Sequence, residues 1–178
     1  VFLGVTHRLD RPTTGVVLFA RTSKALSRLN EMFKSHEKIK KTYWAIVQSP
    51  PPTPQGRLEN YLWRNEKQNK SFVVKPDTKD AKHAVLSYKT IAQSERYTLL
   101  EINLETGRHH QIRCQLSAIG SPIKGDLKYG AKRSNPDGGI SLHARKIEFI
   151  HPVSKVSISI IAPVPDDTLW RELELNCK

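Results

Sequence analysis

Segments with the pattern of β-strands recur along most of the chain, and they constrain its fold more than any other feature. Short apolar runs and stretches rich in β-branched and aromatic residues predict strands at about residues 15–20, 42–47, 83–92, 97–104, 141–150 and 155–162. Apolar residues at helical spacing predict helices at about 24–35, within 106–120 and near 168–175. This mixture indicates an α+β fold with a mixed, mainly antiparallel central sheet and a few flanking helices.

Turn-forming residues set the boundaries between these elements. The proline-rich segment SPPPTPQG (49–56) predicts a surface loop, because proline has no N–H to donate and fixes φ. The polar stretch 57–80 predicts a small antiparallel excursion from the sheet. Ser23 is predicted to cap the first helix, and Gly120 is predicted to end the second.

The charge balance makes a polyanion the first partner to consider. Lysine and arginine number 29 against 17 aspartates and glutamates, which gives a net charge of +12. Basic side chains that neutralise phosphates release counterions, so a nucleic acid is one interpretation and a solvated basic surface is the other. The excess is concentrated in two clusters, Lys24, Arg28, Lys34, Lys38, Lys40 and Lys41, then Lys124, Lys128, Lys132 and Arg133.

Missing patterns exclude several classes of protein. No apolar run approaches the ~20 residues needed to span a bilayer, so we expect no membrane association. The usual glycine-rich phosphate loops, Cys-x-x-Cys pairs and acidic calcium loops do not occur, so we expect no nucleotide or metal cofactor. The two cysteines, Cys114 and Cys177, cannot form a disulfide framework and favour a reducing, cytoplasmic setting.

The segment HRLDRPTTG (7–15) places Asp10 between Arg8 and Arg11, just before a predicted strand. We expect these cations to hold the Asp10 carboxylate ionised, because positive charge favours the charged form. An ionised carboxylate on a loop that leads into a rigid strand can serve as a nucleophile or a base. The alternative is a structural ion pair or a turn cap.

A basic turn leads into the second predicted helix. Within little more than one helical turn, where side chains can converge on an anion, lie Arg108, His109, His110 and Arg113. The adjacent histidines suggest a metal, but neighbouring side chains on a helix point in different directions. No cysteine or carboxylate lies beside them at the spacing of zinc ligands, so we predict no metal site.

The segment KIKKTYWAIV (38–47) brings a basic patch into a predicted strand. Successive residues of a strand point to opposite faces, so Tyr43 and Trp44 must face different sides of the sheet. We predict that one of them packs in the core and that the other faces a cleft.

Four segments, in order along the chain, resemble the motifs of one family. HRLDRPTTG (7–15) is similar to HRLDxxTSG, and KTYWAIV (41–47) is similar to a K-x-Y strand. ETGRHHQIRCQLSAIGSPIKGDLKYG (105–130) resembles GRxHQIRxHLxxxGxPIxGDxxYG, and LHARKIEFIHPV (142–153) resembles a segment of the form LHA…F.HP. The chain thereby resembles the pseudouridine synthases of the RluA type. The departures from these motifs are Thr14, where serine is usual, and Gln115, where histidine is common.

The resemblance implies conversion of uridine to pseudouridine in ribosomal RNA or tRNA, by a cofactor-free reaction on a flipped base. It implies that Asp10 is the nucleophilic aspartate, that Arg113 pairs with it and that Tyr43 lies beside the uracil. The residues that it implies for substrate binding are Arg8 in the RNA stack, Arg108 and His110 at the backbone or active site, and Ile112 and Leu116 as walls of the base pocket.

The same resemblance implies properties of the whole protein. The expected partner is RNA, without a membrane or a small-molecule cofactor, and the expected state is a cytoplasmic monomer. Residues 1–178 are expected to form a single catalytic domain that lacks its N-terminal portion, because family members carry strands before the HRLD motif. The main alternative is a catalytically silent RNA-binding module, against which the joint presence of Asp10, Tyr43 and Arg113 favours activity.

Overall fold

The structure, a computed structural model, describes residues 1–35 and 38–177 and is built on one long β-sheet. The strands are β1 (Gly4–Val5), β2 (Thr14–Gly15), β3 (Phe19–Ala20), β4 (Ile39–Val47), β5 (Gln55–Asn65), β6 (Lys70–Val74), β7 (Lys82–Gln93), β8 (Thr98–Leu104), β9 (Leu142–Ile150) and β10 (Ser157–Ile161). The helices are α1 (Ser23–Ser35), α2 (Gln111–Ala118) and α3 (Thr168–Leu175), and a 3₁₀ turn covers Leu127–Tyr129.

The main sheet has the strand order β10-β9-β4-β8-β7-β5-β6. Neighbouring strands in this order are antiparallel. Strand β2 adds a short parallel pairing to β9, and β1 pairs with β3 in a separate two-stranded sheet. The fold is therefore α+β with a mixed, mainly antiparallel sheet, which confirms the sequence prediction.

Alternate residues of β4 contribute to two apolar cores, one on each face of the sheet. On one face Ala45 packs in a cluster that includes Ile112 of α2. On the other face Trp44 packs in a cluster that includes Trp170 of α3. The central strand is therefore fixed from both sides, which gives the residues that it carries a rigid base.

Helix α1 packs its apolar face on the sheet, where Met32 and Ile39 share a third cluster. The helix begins at Ser23, which was predicted to be its cap, and the capping hydroxyl belongs instead to Thr22. Thr22 Oγ1 accepts a hydrogen bond from the N–H of Ala25 at 3.1 Å. The prediction of Ser23 was wrong because Ser23 already lies in the first turn.

The other two helices are short and have defined ends. As predicted, α2 ends before Gly120, whose φ of +80° is a left-handed conformation that glycine adopts readily. At the start of α3 the Asp167 side chain accepts hydrogen bonds from the N–H groups of Leu169 and Trp170. Within the described ranges, no helix has both the length and the apolar character that crossing a membrane requires.

For three predicted segments, the structure gives bounds or strand pairings that differ from the prediction or were not part of it. Residues 15–20 were predicted as one strand, but Gly15 ends β2, residues 19–20 form β3 and residues 16–18 lie between them. The two strands are separate because β2 pairs with β9 whereas β3 pairs with β1. The polar stretch 57–80 contains most of the β5–β6 hairpin, which is antiparallel as predicted and forms one edge of the main sheet. Strand β5 begins at Gln55, so the proline-rich loop is shorter than the predicted range 49–56.

The loop after β1 carries Asp10 to the sheet, and Gly15 allows the end of this loop to lie close to β9. Thr14 and Gly15 pair in parallel with His143 and Ala144. Gly15 has a φ of +123°, and a Cβ at this position would overlap the backbone of Ala144. Only glycine satisfies both conditions, so this residue sets how closely the Asp10 loop approaches the sheet.

We expect Gly15→Ala to destabilise the protein more than Gly120→Ala. At Gly15 an unfavourable φ combines with a backbone overlap, for a total of about 2–5 kcal/mol. Gly120 also has a positive φ, but a Cβ there meets nothing within 4 Å. That control therefore isolates the conformational strain of about 1–2 kcal/mol. Urea denaturation of both variants measures the difference, and equal losses would show that the approach to β9 imposes no constraint.

Candidate active site

A small pocket lies between the Asp10 loop, β4 and the start of α2. Its volume is ≈ 130 Å³, and it is lined by the three residues predicted to be catalytic, Asp10, Tyr43 and Arg113. Four of the five residues predicted to bind substrate also line it, namely Arg8, Arg108, His110 and Ile112. The fold thus brings together Asp10 and Arg113, which are 103 positions apart in the sequence.

Leu116 is the predicted substrate-binding residue that the structure places elsewhere. Its side chain is 0% exposed and packs in the core cluster that also contains Ile112. Because Leu116 lies one helical turn beyond Ile112, it supports the pocket wall from behind. The prediction that Leu116 contacts the base is corrected accordingly.

A buried carboxylate holds the Arg113 guanidinium in place. Nε and Nη2 of Arg113 donate to the two carboxylate oxygens of Asp126, at 2.7 and 2.9 Å. The two side chains are only 5% and 1% exposed. The Tyr129 ring centre lies 4.9 Å from Cζ of Arg113, which is a cation–π distance. These contacts leave Nη1 as the donor group that faces the pocket.

Through Nη1, Arg113 reaches the loop that carries Asp10. Nη1 lies 3.5 Å from Oδ2 of Asp10 and 3.0 Å from Nε2 of His110. The Asp10 side chain is 28% exposed. The carboxylate therefore faces a buried cation on one side and is open to a ligand on the other.

His110 is a neutral ring whose tautomer follows from its partners. A guanidinium only donates, so Nε2 of His110 accepts from Arg113 and the ring proton resides on Nδ1. Nδ1 then donates to the Tyr129 hydroxyl, 2.9 Å away. Burial and the charge of Arg113 lower the pKa of His110 to about 3, which keeps the ring neutral. Its approach to Asp10, 3.8 Å from Nε2 to Oδ2, is therefore not an ion pair.

The adjacent histidines stack, whereas the sequence analysis predicted that their side chains diverge. The ring centres of His109 and His110 are 3.8 Å apart. The prediction assumed a helical backbone, but His110 has a left-handed φ of 52° and precedes the first residue of α2. Across the part of the chain that the structure describes, no group of three or more His, Cys, Asp or Glu side chains is placed to hold a metal ion.

Burial has a larger effect on Asp10 than the cations beside it in the sequence. Arg8 and Arg11 are exposed. Burial raises the pKa of the Asp10 carboxyl above its ordinary value, and the charge and hydrogen bond of Arg113 oppose this rise only in part. The expected effect of the flanking arginines was therefore wrong in cause and in direction. The result is a carboxylate that binds a proton more readily than an exposed one.

Strand β4 separates its two aromatic residues as predicted. Tyr43 lines the pocket, while Trp44 is 8% exposed and packs in the core on the α3 side. The pairing of β4 with β9 shifts register between Thr42 and Tyr43, which re-aims the strand at this point. Burial and the charge of Asp10 raise the pKa of Tyr43 to about 12, so its hydroxyl stays protonated and able to donate.

The two remaining arginines lie at the mouth of the pocket. Arg8 and Arg108 are both exposed. Nε of Arg108 donates to the carbonyl oxygen of His83 at 2.8 Å, which anchors this side chain to β7. Both guanidinium groups are therefore available to an approaching anion.

Asp126 and Tyr129 contact Arg113, and neither was predicted from the sequence to take part in the site. Both lie in the segment SPIKGDLKYG (121–130), which belongs to the family motif but received no role. Arg113 and Asp126 are 13 residues apart, so no helical or strand periodicity connects them. The usable signal is chemical, because an arginine on a buried helix face requires a carboxylate partner.

A larger cleft adjoins the pocket. Its volume is ≈ 1080 Å³, and it shares Thr13, His110 and Arg113 with the pocket. Its charged lining residues are Arg11, Arg113, Lys124, Lys128, Asp137, Asp166 and Asp167. A concave, charged surface therefore continues from the pocket along the molecule.

Sequence comparison links this geometry to one group of proteins. Residues 2–118 match a family model described as RNA pseudouridylate synthase. An uncharacterized RNA pseudouridine synthase of Mycobacterium bovis is 36% identical over 169 residues, 92% of this chain and 53% of the relative. A ribosomal large subunit pseudouridine synthase D of Vibrio cholerae is 32% identical over 186 residues, 97% of this chain and 56% of the relative. The chain spans about half the length of the curated relatives it matches.

Solved structures share the fold. Human RNA pseudouridylate synthase domain containing 4 superimposes with a TM-score of 0.75 and 25% identity, covering 92% of this chain and 72% of that chain. Human RNA pseudouridylate synthase domain containing 1 has a TM-score of 0.76 and 21% identity, covering 92% of this chain and 70% of that chain. The likeness to the second protein is one of fold alone.

We expect Asp10→Asn to increase stability near neutral pH. The pKa of Asp10 is raised above its ordinary value of 3.8, so the folded state binds this proton more tightly than the unfolded state. The resulting stabilisation of the folded state is present at low pH and is lost as pH rises through the folded-state pKa. Asparagine is neutral throughout, so the variant escapes this loss. Thermal unfolding should show a higher Tm than wild type at about pH 7 and no difference from this source at about pH 3. A lower Tm for the variant at neutral pH would show that attraction by Arg113 outweighs burial.

Proposed function

The chain belongs to the RNA pseudouridylate synthase family, in its RluA type, and on this premise we propose that it isomerises uridines of RNA to pseudouridines. One observation carries the proposal. Nη1 of Arg113 approaches Oδ2 of Asp10 at 3.5 Å in a pocket that also contains Tyr43. We assign Asp10 as the catalytic carboxylate, Arg113 as its partner and Tyr43 as the aromatic residue beside the uracil.

The proposed reaction breaks the C1′–N1 bond of the target uridine, turns the uracil and forms a C1′–C5 bond. C5 loses its proton and N1 gains one, so the product is an isomer of the starting uridine. No electrons pass to an acceptor and no group is lost, so the scheme requires no cofactor. One fragment must be held while the other turns. A carboxylate meets this need by forming a covalent bond or by accepting a proton. Asp10 therefore acts as a nucleophile at C1′ or C6, or as a base at C2′.

The surroundings of Asp10 suit each of these roles. Burial makes its carboxylate more basic than an exposed one, while Arg113 keeps it oriented. Asp126 occupies two donor groups of Arg113, which prevents the guanidinium from turning toward RNA phosphates. The ion pair behind the pocket thus keeps Nη1 directed at Asp10 when a polyanion binds.

We place the uracil between Tyr43 and Ile112. Both line the pocket, one with an aromatic face and the other with an apolar side chain. Bases bind well to such surfaces, because stacking and apolar contact replace the lost neighbours in the RNA. The protonated Tyr43 hydroxyl adds a donor at the edge of the pocket.

The RNA must release one base from its stack, at a cost of about a few kcal/mol. The net charge of +12 and the exposed Arg8 and Arg108 offset part of this cost through phosphate contacts. We propose structured RNA, ribosomal RNA or tRNA, as the substrate. Relatives named ribosomal large subunit pseudouridine synthase D make ribosomal RNA the first to test.

We further propose that the protein acts as a monomer in the cytoplasm. The thiols of Cys114 and Cys177 are both free, as expected in a reducing compartment. All residues assigned to the reaction come from one chain. Size-exclusion chromatography with light scattering tests the oligomeric state, and a stable dimer would contradict this part of the proposal.

We expect Asp10→Asn to abolish pseudouridine formation while RNA binding is kept. Loss of the catalytic carboxylate should lower kcat by at least about a thousandfold. The measurement is tritium release from ribosomal RNA and tRNA transcripts labelled at uracil C5, together with Kd for the same transcripts. Asp77→Asn is the control, because Asp77 is exposed in the turn after β6. Full activity of Asp10→Asn would contradict the assignment, and binding without turnover by wild type would favour a silent RNA-binding module.

We expect Arg113→Lys to lower kcat by about a hundredfold, because a displaced partner no longer orients Asp10. A lysine ammonium cannot bind both Asp126 oxygens and reach Asp10 at once. Arg145→Lys is a matched control, since the Arg145 guanidinium also lies over an aromatic ring, 4.3 Å from that of Trp44, but outside the pocket. Steady-state kinetics on the transcript that wild type modifies should separate the two variants. Equal kcat values for both would remove Arg113 from the site.

A further inference from the structure

The charge around the pocket exceeds what a neutral base requires. Four cationic side chains line it, namely Arg8, Lys41, Arg108 and Arg113. Asp10 is the one carboxylate among the described residues of its lining. Asp126, behind the wall, already compensates Arg113. Uracil carries no charge, so three cations at this pocket have no role in holding the base.

Lys41 is the least exposed of these three cations. Its ammonium lies 5.8 Å from the centre of the Phe33 ring. Within residues 1–35 and 38–177, no carboxylate forms an ion pair with it. The nearby His7 adds no negative charge, because a histidine ring is either neutral or positive. Burial and the charge of Lys41 lower the pKa of that ring to about 4, which keeps it neutral. Burial also lowers the pKa of Lys41 itself.

Strand β4 supplies a matched counterpart in the preceding residue. Lys40 is exposed, and because successive strand residues point to opposite faces, its side chain is directed away from the pocket. Lys40 instead lines a separate groove with Glu148. The two lysines therefore share a strand and a chemistry but differ in what they face.

A partly buried ammonium without a counter-ion is unfavourable in the free protein, and an anion bound beside it restores part of the lost solvation. In the proposed reaction the RNA brings such an anion to the pocket. Every nucleotide that inserts its base also brings a ribose, and each ribose carries phosphodiester groups.

We propose that Lys41 binds a phosphodiester group next to the target uridine, while Arg8 and Arg108 contact the same stretch of backbone from the pocket mouth. This inference rests on the proposed function and adds a substrate-binding residue to it. The pocket then recognises the nucleotide as a unit, with the base against Tyr43 and the phosphate against Lys41. Holding both ends of the nucleotide fixes the ribose relative to Asp10.

The test removes one charge from the protein and one from the RNA, separately and together. The RNA carries a single methylphosphonate, an uncharged replacement, at the linkage 5′ or 3′ of the target uridine. The proteins are wild type, Lys41→Met and Lys40→Met. For every combination we measure kcat/KM for pseudouridine formation and Kd for the RNA. Methionine keeps an apolar stem beside Phe33, and Lys41→Gln is the second neutral variant if Lys41→Met does not fold.

We expect coupling between Lys41 and one of the two linkages. With wild type, the neutral linkage should lower kcat/KM by about 10- to 100-fold, and Lys41→Met should lower it by a similar factor on natural RNA. The two changes together should lower kcat/KM little more than either change alone. Lys40→Met should stay within about twofold of wild type on natural RNA and keep its full sensitivity to the methylphosphonate.

Two results would overturn the proposal. In the first, the losses of kcat/KM caused by Lys41→Met and by the methylphosphonate multiply at both linkages, which shows no coupling. In the second, Lys40→Met is coupled to the methylphosphonate as strongly as Lys41→Met is. If wild type modifies no RNA of the panel, the proposed function fails, and Kd for the natural transcripts, compared between Lys41→Met and Lys40→Met, still decides the phosphate contact. A higher Kd for Lys41→Met than for Lys40→Met would support the contact, and equal Kd values would refute it.

Discussion

The buried ion pair between Arg113 and Asp126 is the interaction on which the site depends. A guanidinium removed from water needs a compensating charge, and the two-point contact with Asp126 also fixes its plane. One donor group, Nη1, is left for the pocket, and it approaches both Asp10 and His110. The same contact sets the tautomer of His110, which donates to Tyr129. A single buried pair therefore fixes the side-chain hydrogen bonds that run from Arg113 to Asp10 and through His110 to Tyr129.

The sheet gives this arrangement its rigidity. Strand β4 lies between two apolar cores, so the part of its backbone next to the pocket-lining Tyr43 cannot shift without disturbing both. Helix α2 brings Arg113 to the pocket from a face on which Ile112 and Leu116 are buried. Two of the residues assigned to the reaction, Tyr43 and Arg113, thus lie on elements that pack in the core. This agrees with the general need of catalytic groups for fixed geometry.

The sequence predicted those features that depend on periodicity. The apolar spacing of α1, the opposite faces of Tyr43 and Trp44, and the antiparallel arrangement all follow from patterns a few residues long. It did not predict that Asp126 holds Arg113, because that contact is set by tertiary packing. The sequence also did not predict that the pKa of Asp10 is raised. Burial outweighs the opposing positive charge, and burial depends on the tertiary structure instead of on neighbours in the sequence. The stacking of His109 on His110 depends on one left-handed residue that no pattern indicates.

The loop that carries Asp10 is closed by the two-residue pairing of β1 with β3. It is joined to the rest of the fold by the two-residue pairing of β2 with β9 and by single hydrogen bonds, such as that from the N–H of Ile140 to the carbonyl oxygen of Pro12. Segments held by few backbone hydrogen bonds open at lower free energy than the interior of a sheet. Of the two residues proposed as catalytic partners, Asp10 therefore lies on a loop held by few hydrogen bonds, and Arg113 lies on a buried helix. The separation of 3.5 Å between them is long for a hydrogen bond, as is common before a ligand binds. Under the proposed function, RNA that contacts both the loop and the helix would draw the loop toward the sheet, so that the substrate itself would complete the geometry of Asp10 and Arg113.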